Sequence, residues 1–157
     1  MAVQEHMADR TALEQALHSL GLGPLSVGAL SDLDLHSLLS RGFPIQSFEF
    51  LVESFPGLTE GDRLKQAIGV SKQTLARRRG QQAELRTSRA ESDRIWRFAM
   101  TAALATEVLG TNDHAVEWLF SAAMALDNDR PVELIGTIAG FQAVQDHLKR
   151  MKYGVYT

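Results

Sequence analysis

The chain has 157 residues, 45% apolar and 22% charged, with a net charge of −3 and no cysteine. This composition suits one globular domain or two small ones, and the missing thiols exclude a disulfide framework or a cysteine-ligated metal. The charged stretch Met1 to Arg10 lacks the apolar core of a signal peptide, and the most apolar run, Phe98 to Leu109, contains Glu107 and is too short to span a bilayer, so a soluble, cytoplasmic protein with no membrane partner is expected.

Helical periodicity runs almost throughout, with Gly and Pro at the breaks and no segment alternating like a strand, which predicts an all-α fold. Thr11 to Leu20 carries Ala12, Leu13, Ala16, Leu17 and Leu20 on one face and ends at Gly21, Gly23 and Pro24; its packing partner is not evident. Ser31 to Leu39, with leucines at 33, 35, 38 and 39, stops at Gly42 and Pro44. Gln46 to Phe55 follows with Phe48, Leu51, Val52 and Phe55, and both segments read as core-facing helices.

The most informative pattern is Thr59 to Ile68 followed by Ser71 to Arg79, separated only by Gly69 and Val70. Gly69 can take the left-handed conformation that ends a helix, Ser71 can cap the next, and Leu64, Ile68, Val70 and Leu75 are spaced to pack two helices at a steep angle. That is a helix-turn-helix pattern within a region spanning 31–87. Its second helix is expected to present Lys72, Gln73, Thr74, Arg77, Arg78 and Arg79 outward, residue types able to contact base edges and phosphates. Lys65 sits four residues before the turn glycine, where a long side chain must snorkel outward or widen the crossing. From 63 to 97 the basic residues Arg63, Lys65, Lys72, Arg77, Arg78, Arg79, Arg86, Arg89, Arg94 and Arg97 far outnumber Glu84, Glu91 and Asp93. Either a nucleic-acid face or a solvated basic helix surface accounts for that charge.

After a polar linker at 81–87, Ser88 and Glu91 form a capping box opening a helix that runs to about Leu109. Ile95, Phe98, Ala99, Ala102 and Leu109 make one stripe, while Trp96, Met100, Ala103 and Leu104 add apolar surface elsewhere. Burial on more than one side is therefore needed, supplied either by a second subunit in a homodimer or by flanking helices of the same chain. Asn112 can cap a helix to about Ser121, Pro131 suits the first turn of a short one with Leu134 and Ile135 inward, and Thr137 starts the last, with Phe141, Val144, Leu148 and Met151 on one face. The apolar, tyrosine-bearing end, Tyr153 to Thr157, is unusual for a frayed terminus and implies docking on its own domain or insertion into a partner.

Several blocks from about 36 to 157 carry a family likeness: Arg41-Gly42-Phe43-Pro44; Ala67-Ile68-Gly69-Val70-Ser71 with Thr74-Leu75-Ala76-Arg77-Arg78; Glu91-Ser92-Asp93-Arg94; Trp118-Leu119; Pro131 with Glu133-Leu134; and Tyr153-Gly154-Val155-Tyr156. In this order they resemble the Xre/MbcA/ParS antitoxins, which partner RES-domain toxins. The resemblance implies a helix-turn-helix region followed by a small helical toxin-binding domain, here 88–157, which also dimerises. It further implies autorepression through operator DNA and occlusion of the active-site cleft of an NAD-consuming toxin, with NAD a ligand of the partner and no cofactor here. By the same resemblance Arg150, Lys152, Tyr153, Gly154, Val155 and Tyr156 are the toxin-contacting candidates. Residues 1–30 lie outside it and read as a variable N-terminal extension. Many relatives carry Pro-Asn and Gly-Gly where this chain has Ala122-Ala123 and Asp127-Asn128; Asn tolerates the left-handed region better than Asp, so the loop at 122–130 is expected to differ in shape.

Neither a nucleophile elbow, a phosphate loop nor a dinucleotide fingerprint occurs, and the histidines at 6, 18, 36, 114 and 147 lack metal-ligand spacing. His114 and Glu117, one helical turn apart, read as a solvated pair. No catalytic residue and no metal are expected. The competing function is a stand-alone helix-turn-helix repressor whose C-terminal region only dimerises.

Overall fold

The computed structural model describes residues 2–23, 30–81 and 84–154, with side chains from Arg10 onward. Among them every regular element is a helix: α1 (Ala2–Ser19), α2 (Asp32–Arg41), α3 (Ile45–Ser54), a 3-10 turn (Pro56–Thr59), α4 (Arg63–Ile68), α5 (Lys72–Arg79), α6 (Arg89–Leu109), α7 (Asn112–Leu119), a second 3-10 turn (Met124–Leu126), α8 (Pro131–Leu134) and α9 (Ile138–Tyr153). No helix there is long and apolar enough to cross a membrane.

Local chemistry sets most boundaries. Ser31 and Asp34 form a capping box at α2, as Ser88 and Glu91 do at α6, each Ser accepting from the N3 amide while the carboxylate reaches back to the cap. Left-handed glycines close α4 at Gly69, α6 at Gly110 and α9 at Gly154. Pro131 opens α8 and the Thr137 hydroxyl caps α9. At α7 the cap is Thr111. Asn112, expected in that role, instead donates from its side-chain amide to the Ser54 carbonyl at 2.8 Å, tying α7 to the end of α3.

The axis of the fold is α6, about 30 Å long at 1.5 Å per residue. Helices α1, α2, α4, α7 and α9 all pack against it. Ile95, Phe98, Ala99 and Ala102 are completely buried, and Leu109 packs half-buried against the same core. This corrects the dimer interface expected at Ile95, Phe98, Ala99, Ala102 and Leu109: the chain's own helices cover the first four, which offer no open face to a second subunit, while Leu109 keeps partial exposure. Phe98 alone meets the edge of Phe55 with centroids 6.0 Å apart, and its burial stabilises the fold by about 2–3 kcal/mol. The N-terminal segment also acquires a partner, since α1 lays Ala12, Ala16 and Leu17 against the core formed around α6. One continuous buried cluster runs from Ala12 to Leu148, so the helix-turn-helix region and the C-terminal helices share a core.

The polar linker carries more structure than its composition suggests. Leu85 to Thr87 pairs antiparallel with Phe43 to Ile45, through Ile45 N–H to the Leu85 carbonyl at 3.1 Å and Thr87 N–H to the Phe43 carbonyl at 2.8 Å. Arg86 donates to the Gly42 carbonyl at 2.6 Å, and a buried hydroxyl pair, Thr87 and Ser92 at 2.6 Å, receives the Phe43 N–H. This clasp requires Gly42: its φ is +83°, and an added Cβ would sit 2.0 Å from the Thr87 carbonyl oxygen.

Candidate functional site

Helices α4 and α5 meet at Gly69, whose φ of 86° turns the chain, and Ser71 caps α5 by accepting from Thr74 N–H at 3.1 Å. Leu64, Ala67, Ile68, Val70 and Leu75 are all buried in the core. Two short helices joined by a left-handed glycine turn thus stand where the spacing predicts them, and Lys65 is exposed, its long side chain directed outward.

The outward face of α5 is narrower than expected. Lys72, Gln73 and Arg77 are exposed, and Gln73 and Arg77, four residues apart, lie opposite the buried Leu75. Thr74 is half-buried, its hydroxyl accepting from Ser71 at 3.0 Å. Arg78 departs from the outward reading: its guanidinium holds Glu91 of α6 at 2.6 and 3.3 Å, with both side chains about four-fifths covered. Burial would raise the Glu91 carboxyl, but hydrogen bonds from Arg78 and Ser88 outweigh it and leave the group below the usual carboxylate value. Arg79 remains half-exposed while pairing with Glu49 of α3 at 2.9 Å. These two arginines brace α5 against its neighbours.

The same sorting applies along the basic segment. Arg97 pairs with Asp93, and Arg63 makes a two-point contact with Glu117 of α7 at 2.7 and 3.1 Å while lying 4.9 Å from the centre of the Phe120 ring. The hydrogen bond from Arg63 holds Glu117 below its ordinary value, which takes that carboxylate out of the His114–Glu117 pair. Lys65, Lys72, Arg77, Arg86, Arg89 and Arg94 remain, all exposed and none in an ion pair among the described residues, Arg86 being bound to the Gly42 carbonyl.

At the opposite end of α6 the last turn of α9 is anchored by Lys152, whose Nζ lies 2.6 Å from Glu107 Oε2 and over the Tyr153 ring. The Lys152 charge is therefore engaged within the chain. Arg150 is exposed with its Nε donating to the Asp146 carbonyl, Tyr153 is 38% exposed, and Gly154 ends the helix in the left-handed conformation. Val155 and Tyr156, the remaining tail candidates, lie outside the described residues. On the neighbouring face His147 stacks on Trp118 with the rings 6.2 Å apart, and burial together with the Arg150 charge pushes the imidazole below its ordinary value.

In the 122–130 loop both Asp127 (φ 56°) and Asn128 (φ 63°) adopt the left-handed conformation, so the backbone keeps the glycine-like path at both positions. Asn128 N–H and Leu126 N–H converge on the Ala123 carbonyl at 3.0 and 2.9 Å, and Ala123 N–H returns to the Asp129 carbonyl, which holds that path without glycine. Beyond it, Gly140 packs so closely that a Cβ would meet the Leu134 carbonyl oxygen at 1.9 Å. Gly140 and Glu107 shape this end of the molecule and were not singled out by spacing; a lone glycine in a helical run is the one signal that pointed to the former.

A cleft of about 730 Å³ lies between α1, α2, α6 and α9, floored by Leu35, Trp96, Met100 and Phe141. Among the described residues no group of three or more His, Asp or Glu gathers in a metal-binding arrangement.

Residues 104–154, which cover the end of α6, α7 to α9 and the Gly154 stop, match the family model of the antitoxin Xre/MbcA/ParS C-terminal toxin-binding domain. This match, over about a third of the chain, supports an Xre/MbcA/ParS-type antitoxin. Its partner is accordingly a toxin, and the matched domain contains Arg150, Lys152, Tyr153 and Gly154. No curated protein matches the chain.

Proposed function

We propose that this antitoxin neutralises a RES-domain, NAD-consuming toxin by laying its C-terminal tail in the toxin's active-site cleft, and represses its own operon through the α4–α5 helix-turn-helix. The observation that carries the reading is the position of the matched toxin-binding domain relative to α5: about 24 Å of α6 separates Glu91, beside α5, from Glu107, beside the tail. Toxin and DNA then approach opposite ends of one rigid helix without competing for surface. On the DNA side Gln73 and Arg77 read bases from the outer face of α5, with Lys72 on the backbone. On the toxin side Arg150, Tyr153 and Gly154 continue into Val155 and Tyr156. A cytoplasmic homodimer places two α5 helices on the half-sites of a palindromic operator; its contact lies outside the buried stripe of α6.

Co-expression with the neighbouring open reading frame, purification through a tag on this chain and mass analysis test the partner. Removal of 154–157 tests the tail while leaving the Lys152–Glu107 anchor in place. The expected outcome is a folded protein that no longer rescues growth from the toxin. Rescue by the truncated protein sinks the tail assignment.

A further inference from the structure

We infer that Arg94, a residue of α6 and of neither helix in the helix-turn-helix, is a DNA-backbone contact that fixes how α5 sits in the groove, an inference that rests on the DNA-binding reading above and deepens it. At Gly69 the absent side chain opens a space in the α4–α5 turn, and the Arg94 guanidinium fills its mouth: an added Cβ at Gly69 would lie 3.1 Å from Arg94 Nη1. Arg94 thus reaches across from α6 and delivers its charge to the turn that leads into α5.

Its neighbours leave that charge uncompensated. The acidic residues of the first turns of α6 are already taken, Glu91 by Arg78 and Asp93 by Arg97. Lys65, one turn before Gly69, and Lys72, just after it, are exposed and likewise have no acidic partner among the described residues. Arg94 at the turn and Lys65 and Lys72 flanking it in the chain are therefore surplus cations, whereas Arg63, Arg78, Arg79 and Arg97 of the same region are held in ion pairs. Concentrated cationic charge of this kind fits a polyanion with evenly spaced phosphates, and a guanidinium can grip a phosphodiester with two hydrogen bonds. Arg94 is carried by the rigid central helix, whereas the base-facing Gln73 and Arg77 belong to α5. A phosphate held by Arg94 would fix the register of α5 and carry no sequence information of its own.

The test uses the full chain, a duplex spanning the sequence immediately upstream of its own coding region, and a scrambled duplex of equal length, titrated at several salt concentrations. Arg94→Gln should weaken binding to both duplexes alike, by about tenfold at moderate salt, and reduce the slope of log K against log salt by about one. Arg94→Lys should restore the slope, because the charge returns. Arg77→Ala should instead reduce discrimination between the duplexes. Thermal melts of each variant confirm that the fold is intact. If wild-type protein binds both duplexes and Arg94→Gln leaves the slope unchanged, or changes discrimination alone, the inference is overturned and the DNA reading stands. If wild-type protein binds neither duplex, the DNA reading falls and this inference with it.

Discussion

The two ends of α6 solve the same electrostatic problem differently. At its N-terminal end Glu91 sits where the helix dipole favours negative charge, and it bonds to both Ser88 and Arg78. At the C-terminal end Glu107 sits against the unfavourable pole, 12% exposed, with Oε2 on Lys152 and Oε1 buried without a hydrogen-bond partner among the described residues. One end is satisfied several times over; the other depends on a single lysine from the last turn of α9. The comparison teaches why the two candidate surfaces differ in character. Around α5 the internal pairs are complete and the remaining cations are surplus, available to an outside anion. Beside the tail the lysine belongs to the fold, which leaves its neighbours Arg150 and Tyr153 as the contacts of the proposed reading.

The largest effect is expected midway between the ends. Phe98→Ala should cost about 3–5 kcal/mol in urea denaturation, with one cooperative transition and the same loss at every protein concentration. Two separated transitions would mean that the ends of α6 unfold independently, and a concentration-dependent loss would return Phe98 to a subunit interface. Next in size, Lys152→Met should cost on the order of 2 kcal/mol, because Glu107 is left buried and unpaired. Arg78→Met should cost about 1 kcal/mol or less, since Glu91 keeps Ser88 and the helix dipole. Equal losses would erase the asymmetry between the two ends. The smallest effect concerns pH. The folded value of His147 lies below the ordinary 6.5, so the native state takes up its proton later than the unfolded chain. The resulting stability is complete above about 6.5 and is lost as pH falls through the depressed value. His147→Phe keeps a ring on Trp118 and should flatten that part of the Tm profile; an unchanged slope would remove His147 from the account.

Much of the fold was legible in the amino-acid order because it is local. Ser71, Ser88 with Glu91, Pro131, Thr137 and Gly69 act on backbone groups a few residues away, and each does so as its position predicts. The contacts that sorted the arginines are of another kind. Arg78 with Glu91, Arg79 with Glu49 and Arg63 with Glu117 join different helices, so the spacing within one helix could not reveal which cations were already engaged. The apolar circumference of α6 correctly required burial on several sides, yet periodicity does not say whose side chains arrive there. The pairing of Leu85 to Thr87 with Phe43 to Ile45 was hidden for the same reason: a short extended stretch without alternation gives no sign of a distant match.

That pairing gives the chain a modular layout. At Gly42 and Thr87 the backbone enters and leaves α3, the first 3-10 turn, α4 and α5 through a single gate. The remaining helices, α1, α2 and α6 to α9, are gathered around α6 by contacts of their own. A segment whose ends meet can be exchanged for one of another length without rerouting the rest, provided the newcomer covers the surfaces of α1, α6, α7 and α8 now met by α3, the first 3-10 turn and α4. The layout therefore allows the unit to which the proposed function assigns DNA reading to be replaced while the toxin-binding end keeps its framework, so that under this proposal the two specificities can diversify at separate rates.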